Sequence, residues 1–260
     1  MIIKKTPGEI EKMRAAGAVV ARCLKGIVDS LVPGRTTTLD IDKMAEHLIA
    51  EHGAVSSFKN YRGYPNTVCV AVNEEVVHGV PGPRALMPGD ILGVDLGVVL
   101  NGWHADAAVT VAVGGRGSPE GMRLLKVGKE ALFKGIEKAR PGNKLSDIGH
   151  AIQNYVEKQG YSVVRDLVGH GIGRDMHEDP HVPNYGKPGK GLRLAEGMTL
   201  AIEPMINVGG YEVETLGDSW TVVTKDGSLS AHFEHTVAIT KDGPDILTYL
   251  PAGEALSVNG

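Results

Sequence analysis

Two stretches decide the fold: PGRTTTLDIDKMAEHLIAEHG at residues 33–53 and PGNKLSDIGHAIQNYVEKQG at residues 141–160. Each opens on a proline-glycine pair, carries an Asp-Ile pair soon after and closes on a glycine. Pro33-Gly34 and Pro141-Gly142 lie 108 residues apart, while Asp40-Ile41 and Asp147-Ile148, like Gly53 and Gly160, lie 107 apart. Proline-glycine stops one helix, and a glycine after the last periodic residue caps the next. Helices are therefore expected from about Leu39 to His52 and from Leu145 to Gln159. One shared pair could be chance, but three landmarks at nearly one spacing point to an internal duplication.

The pattern extends in both directions. Upstream, Thr6-Pro7-Gly8-Glu9 reads as a helix start, with Thr6 as cap, Pro7 in the first turn and Glu9 completing a capping box. Ile10, Met13, Gly17, Val20, Leu24, Ile27 and Leu31 then fall on one helical face. Ser118-Pro119-Glu120 opens the equivalent helix, with Leu124, Leu125, Val127, Ala131, Leu132 and Ile136. Downstream, strands are expected over 67–73, 91–100, 104–113, 198–206, 219–224 and 232–240. The class is α+β: two helix–helix–strand halves, about 1–115 and 116–260, forming an antiparallel sheet backed by helices. Gly114-Gly115-Arg116-Gly117 reads as a flexible connection rather than a linker. Residues 1–260 are therefore expected to form a single catalytic domain with a site shared between the halves.

Composition narrows the function. Apolar residues make up 42% and charged residues 22%, an ordinary globular balance. A net charge of -4 argues against a protein that binds nucleic acid through a general basic field. Cys23 and Cys69 cannot build a disulfide framework, no apolar run reaches membrane-spanning length, and the N-terminus carries no secretion signal. A cytoplasmic protein is expected, with no membrane partner.

The chemistry lies in acids that interrupt apolar strands. In residues 91–113, ILGVDLGVVLNGWHADAAVTVAV, Asn101-Gly102 is a hairpin signal. A two-residue turn there pairs Leu100 with Trp103 and sets Asp95 opposite residue 108. Asp106 then becomes the diagonal neighbour of Asp95 on the same face, with Cα atoms roughly 7–8 Å apart. Two carboxylates so placed repel unless a cation lies between them. A single buried Asp would more often cap a turn or meet an arginine, but a matched pair is harder to explain that way. Glu203, in LAIEPMI, and Glu234, in HFEHTVAI, repeat the anomaly. His170 sits between glycines in Gly169–Gly173, which lets backbone approach a ligand closely. His78 and His177 are further candidates as ligands or acid/base groups. An oxygen-rich set with one imidazole favours Mn, Fe, Co or Zn, and four acids suit two ions sharing bridging carboxylates. His177-Glu178-Asp179-Pro180-His181 matches H-E-x-x-H, but Pro180 spoils the helix that motif needs.

Asp95, Asp106, His170, Glu203 and Glu234, in that order and local context, resemble the dimetal ligand set of methionine aminopeptidases. Asn73-Glu74 with His78-Gly79-Val80-Pro81, the Gly169–Gly173 segment and Glu203-Pro204 strengthen the resemblance, which covers nearly the whole chain. It is closest to the bacterial type I enzymes. It implies the pseudo-twofold pita-bread fold and removal of N-terminal methionine from nascent polypeptides whose second residue is small, through a metal-bridging hydroxide. It further implies that Asp95 and Asp106 hold one ion, Asp106 bridging, that His170 and Glu203 hold the other, and that Glu234 bridges. Glu203 relays the proton, His177 steadies the oxyanion and His78 meets the scissile amide. Phe58, Tyr61, Tyr64, Cys69, Met176 and Trp220 would line the methionine pocket. Phe58, Arg62 and Met176 depart from the familiar cysteine, histidine and phenylalanine. The family also implies a monovalent cation at the Asn73, Glu75 and Ser230 carbonyls, a monomer, and the ribosome as a partner that presents nascent N-termini.

Rival readings are a proline-specific aminopeptidase or dipeptidase, whose usual extra N-terminal domain is not seen here, a binding protein with a decayed metal site, and a phosphoesterase. No phosphate loop or arginine cluster supports the last.

Overall fold

The capping residues read from the sequence set the helices of the computed structural model, which describes residues 2–250. Met1 and residues 251–260 of the expected 1–260 domain lie outside the described residues. Helix α1 is Pro7–Asp29, and at its start the Thr6 amide donates to Glu9 Oε2 over 2.9 Å. Helix α2 is Thr38–Glu51, where the Thr37 amide donates to Asp40 Oδ2 over 3.0 Å. Helix α3 is Pro119–Ile136, where Ser118 Oγ accepts from the Gly121 amide over 3.0 Å. Helix α4 is Leu145–Lys158, where the Lys144 amide donates to Asp147 Oδ2 over 2.7 Å. Asp40 and Asp147 thus do the same job, satisfying an amide that the first helical turn leaves unpaired. Gly34, Gly142, Gly53 and Gly160 hold φ of 75°, 93°, 66° and 84°. Each helix pair therefore turns and ends on residues for which the left-handed region is free of strain. Helices α1 and α3 both stop before their proline-glycine pairs. At α1 the Ser30 hydroxyl donates to the Ile27 carbonyl over 2.7 Å and closes the last turn.

All ladder pairs between the strands are antiparallel. Ile91–Leu100 and Trp103–Ala112 form the expected hairpin, with Leu100 opposite Trp103 and Asp95 opposite Ala108. Asn101 and Gly102 both take positive φ, 52° and 76°, as a tight two-residue turn requires. Helix α1 packs on both hairpin strands, while α3 packs on α4 and on strands from both halves. The main apolar core runs from Val20 and Leu24 through Val94, Leu96 and Val109 to Leu124, Ile148 and Ile206.

Two expected strands are each broken in two. Residues 198–206 divide into Thr199–Ile202 and Met205–Asn207, and residues 232–240 divide between Ser230–His232 and His235–Thr240. Pro204 has no amide to give a ladder. The pieces also join different sheets: Thr199–Ile202 pairs with His235–Thr240, and Met205–Asn207 with Ser230–His232. Glu203 and Glu234 lie in the two gaps, not within strands as expected, and so are released from alternation to point where the gap directs them.

The halves meet along Trp103–Ala112. There Thr236 Oγ1 donates to the Asp106 carbonyl over 2.8 Å and accepts the Asp106 amide over 3.0 Å. Thr110 Oγ1 brackets His232 in the same way, over 2.6 and 2.9 Å. Between them the Glu234 amide donates to the Ala108 carbonyl over 2.9 Å. Two threonine hydroxyls and one direct backbone bond thus join the strands, and this seam sets Glu234 near Asp106.

Candidate active site

The seam and the hairpin deliver their acids to one cavity of about 150 Å³. Its lining holds the expected metal ligands Asp95, Asp106, His170, Glu203 and Glu234, then His78 and His177, then the expected pocket residues Phe58, Tyr61, Tyr64, Cys69, Met176 and Trp220; Asn73, Glu75 and Ser230 lie outside it. Arg62 lines it as well.

Each inner side chain is aimed by its element. Asp95 stands between Cys69 and Ala108 on neighbouring strands. Glu203 is fixed by Asn184, whose Nδ2 donates to its carbonyl over 3.0 Å. The imidazole of His170 engages the Gly171 carbonyl through Nδ1 over 2.9 Å, while Nε2 faces Glu203 Oε1 at 3.7 Å. A proton on Nδ1 leaves the Nε2 lone pair directed at the acids, as a metal-binding imidazole needs. Asp106, His170 and Glu234 each present a ligand atom within 4.8 Å of the others.

The glycines beside His170 serve a different purpose from the expected approach to a ligand. A Cβ on Gly169 would come within 2.3 Å of the Ala201 carbonyl, and one on Gly171 within 2.2 Å of the Asp179 carbonyl. They let the short strand Gly169–Gly171 thread between its neighbours. The H-E-x-x-H segment is not helical either: Glu178–Val182 is a strand, and His181 faces solvent.

The electrostatics test whether the site fits metal ions. Burial, then mutual repulsion, holds Asp95, Glu203 and Glu234 well above the usual carboxylate range. Burial lifts Asp106 to about 7, against a hydrogen bond from Asp95 that lowers it. Asp95 Oδ1, Asp106 Oδ1 and Glu234 Oε1 are buried without a hydrogen-bond partner. Among the described residues no lysine or arginine forms an ion pair with these four acids. Orphaned carboxylate oxygens are too costly to keep for packing alone, and divalent cations are the partner that this donor set fits.

Another part of the cavity lining is apolar. Phe58, Tyr64, Cys69 and Met176 form a buried cluster, with Tyr61, Val80 and Trp220 packed against it. Tyr64 Oη donates to the Val68 and Gly79 carbonyls over 3.0 and 2.9 Å, which turns its ring, not its hydroxyl, to the cavity. His177 stands exposed at the rim with Nδ1 2.8 Å from Tyr61 Oη. The protein packed round its ring, then His170 and Arg62, push its pKa down to about 3, so it stays neutral. His78 is held at φ 59°, and burial lowers its pKa.

Some neighbours of the site were not legible beforehand. His232 is fully enclosed and places Nε2 3.6 Å from Glu203 Oε2. Its position two residues before Glu234 was the available signal. Asn184, Thr110 and Thr236 carried none, because their partners are distant in sequence.

A sheet-and-helix scaffold that closes buried acids and one imidazole around a cation-sized gap defines a metallopeptidase, and the comparisons agree. The family model for Metallopeptidase family M24 matches residues 11–241, and the chain belongs to that family. Within it the relatives are specific. The chain is 55% identical to the methionine aminopeptidase of Clostridium acetobutylicum, over 95% of this chain and 99% of that one. It is 53% identical to methionine aminopeptidase 1 of Bacillus subtilis, with 95% and 99% covered. Among solved structures, the methionine aminopeptidase of Thermotoga maritima superposes with a TM-score of 0.93 at 48% identity, covering 95% and 99%. The pita-bread architecture is therefore the fold of this chain.

Proposed function

We propose that this protein removes the N-terminal methionine from nascent polypeptides whose second residue is small. The observation that carries the reading is the junction, in one cavity, of buried carboxylate oxygens without hydrogen-bond partners and an apolar, largely aromatic cluster.

Asp95, Asp106, His170, Glu203 and Glu234 would hold two divalent ions, of Co, Mn, Fe or Zn. When bound, such ions polarise a carbonyl and make water acidic enough to attack it at neutral pH. The residues of the chain supply the rest. Phe58, Tyr61, Tyr64, Cys69, Met176 and Trp220 take the methionine side chain, whose flexible, polarisable sulfur suits an aromatic-lined slot. Glu203 accepts the proton of the attacking water. His177, neutral and steadied by Tyr61, donates to the oxygen on which charge develops. His78 hydrogen-bonds the scissile nitrogen as it leaves. The free α-amine of the substrate sits against the acids, which restricts cleavage to chain ends.

The same reading includes a monovalent cation at the Asn73, Glu75 and Ser230 carbonyls. Asn73 and Ser230 are neighbours, since the Ser230 amide donates to the Asn73 carbonyl over 2.9 Å. It also includes a monomer that works in the cytoplasm and meets its substrates at the ribosome. Among the described residues no helix is long and apolar enough to cross a membrane.

The test is cleavage of Met-Ala-Ser against Xaa-Pro peptides by metal-loaded protein. Release of methionine from the first alone supports the reading. Cleavage of Xaa-Pro bonds in preference, or of neither, overturns it.

A further inference from the structure

Arg62 is the single lysine or arginine in the cavity lining, and among the described residues it has no carboxylate partner. It is exposed, yet its position is not arbitrary. Its backbone takes φ 51°, between Asn60 at 68° and Gly63 at 91°. A bulky residue in the left-handed region is strained and persists only where its surroundings impose it. The imposed result is a guanidinium carbon 5.4 Å from the centre of the Tyr61 ring. Tyr61 in turn stacks on His177 with ring centres 5.2 Å apart and planes 16° apart, and His177 lies 4.1 Å from the His170 ring. One wall of the cavity therefore runs from buried His170 through His177 and Tyr61 to exposed Arg62.

A peptide seated as proposed above puts its first side chain in the apolar cluster and its scissile bond near His177. Its later residues can leave only by the mouth, where this wall ends in an unpaired, always-charged fork. We propose that Arg62 is a specificity-determining residue, drawing an acidic side chain at the third or fourth substrate position to its guanidinium. A planar guanidinium matches a carboxylate in a two-point pairing, at the modest strength of an exposed ion pair. The inference rests on the methionine aminopeptidase reading.

The experiment compares kcat/KM for amidated Met-Ala-Asp-Gly and Met-Ala-Gly-Asp with the same peptides carrying Asn or Lys in place of Asp. Wild type, R62Q and R62E are each scored by the Asp-to-Asn ratio, which cancels any general loss of activity. In wild type the ratio should be about two- to five-fold in favour of Asp at one position, the range of a partly exposed ion pair, with Lys below Asn. R62Q should bring the ratio to one, and R62E should favour Lys. If a variant does not fold, wild type still decides, because the preference must fade between about 20 mM and 500 mM salt as the charges are screened. A wild-type ratio of one at both positions, or a preference that survives in R62Q and R62E or in high salt, overturns the proposal. Failure to cleave any of the peptides overturns the underlying reading instead.

Discussion

His177 illustrates how a single residue divides binding from catalysis. Its ring meets Tyr61 and crowds His170, but it belongs to the rim rather than to the acid cluster. H177A should therefore lower kcat about 10²–10³-fold, the usual cost of losing one donor to a developing oxyanion, while bound metal stays unchanged. Steady-state cleavage with metal analysis checks this, and metal loss with unchanged turnover per loaded enzyme would contradict it. Gly171 makes a second residue-scale case. With Asp179 backbone 2.2 Å from any added Cβ, G171A must displace the strand that carries His170. It should cost at least about 2 kcal/mol, as overpacking against fixed backbone does, and weaken metal binding together with stability. Denaturant unfolding and metal titration of the variant test the two effects; a variant of wild-type stability would contradict the crowding. The composition of this site was legible from sequence because each acid broke a local hydrophobic rule. The purpose of the flanking glycines was not, since the backbone they avoid belongs to other strands.

At the scale of elements, the seam between the halves joins catalytic geometry to stability. Thr236 gives and takes a hydrogen bond at Asp106, 130 residues away in sequence. T236V keeps the shape but leaves the Asp106 amide unpaired, which should cost roughly 1–3 kcal/mol and weaken metal binding. Unfolding and titration of the variant measure both, and a loss of stability with unchanged affinity would show that the seam does not position Asp106. The hairpin that places Asp95 opposite Ala108 was readable because Asn101-Gly102 fixes the register by itself. The helices were readable because their caps are local. The gaps that free Glu203 and Glu234 were not, because Thr199–Ile202 and Met205–Asn207 look continuous until their partners in two separate sheets are known. Contacts of long sequence separation, such as the Asn184 bond to Glu203, leave no pattern in a single chain.

The whole molecule holds a cluster of acids that the fold alone does not stabilise. Their carboxyl groups keep protons in the folded, metal-free state to higher pH than in the unfolded chain, with Asp106 near 7. A raised acid pKa makes the folded state bind more protons than the unfolded one. Metal-free protein should therefore lose stability as pH rises from about 4 toward 7. Cations displace those protons, so the rise in melting temperature on adding Mn²⁺ should be larger at about pH 7.5 than at about pH 5. Melting curves with and without metal at the two pH values check this, and a gain that does not grow with pH would contradict it. The most direct test of the central claim is a titration of chelator-stripped protein with Mn²⁺, in which bound metal and methionine release from Met-Ala-Ser are read on the same samples. The account predicts cleavage that is absent without metal and appears as the acid cluster fills to two ions per chain. Full cleavage by stripped protein, or metal that binds at other residues and leaves a D106N variant unaffected, would contradict it.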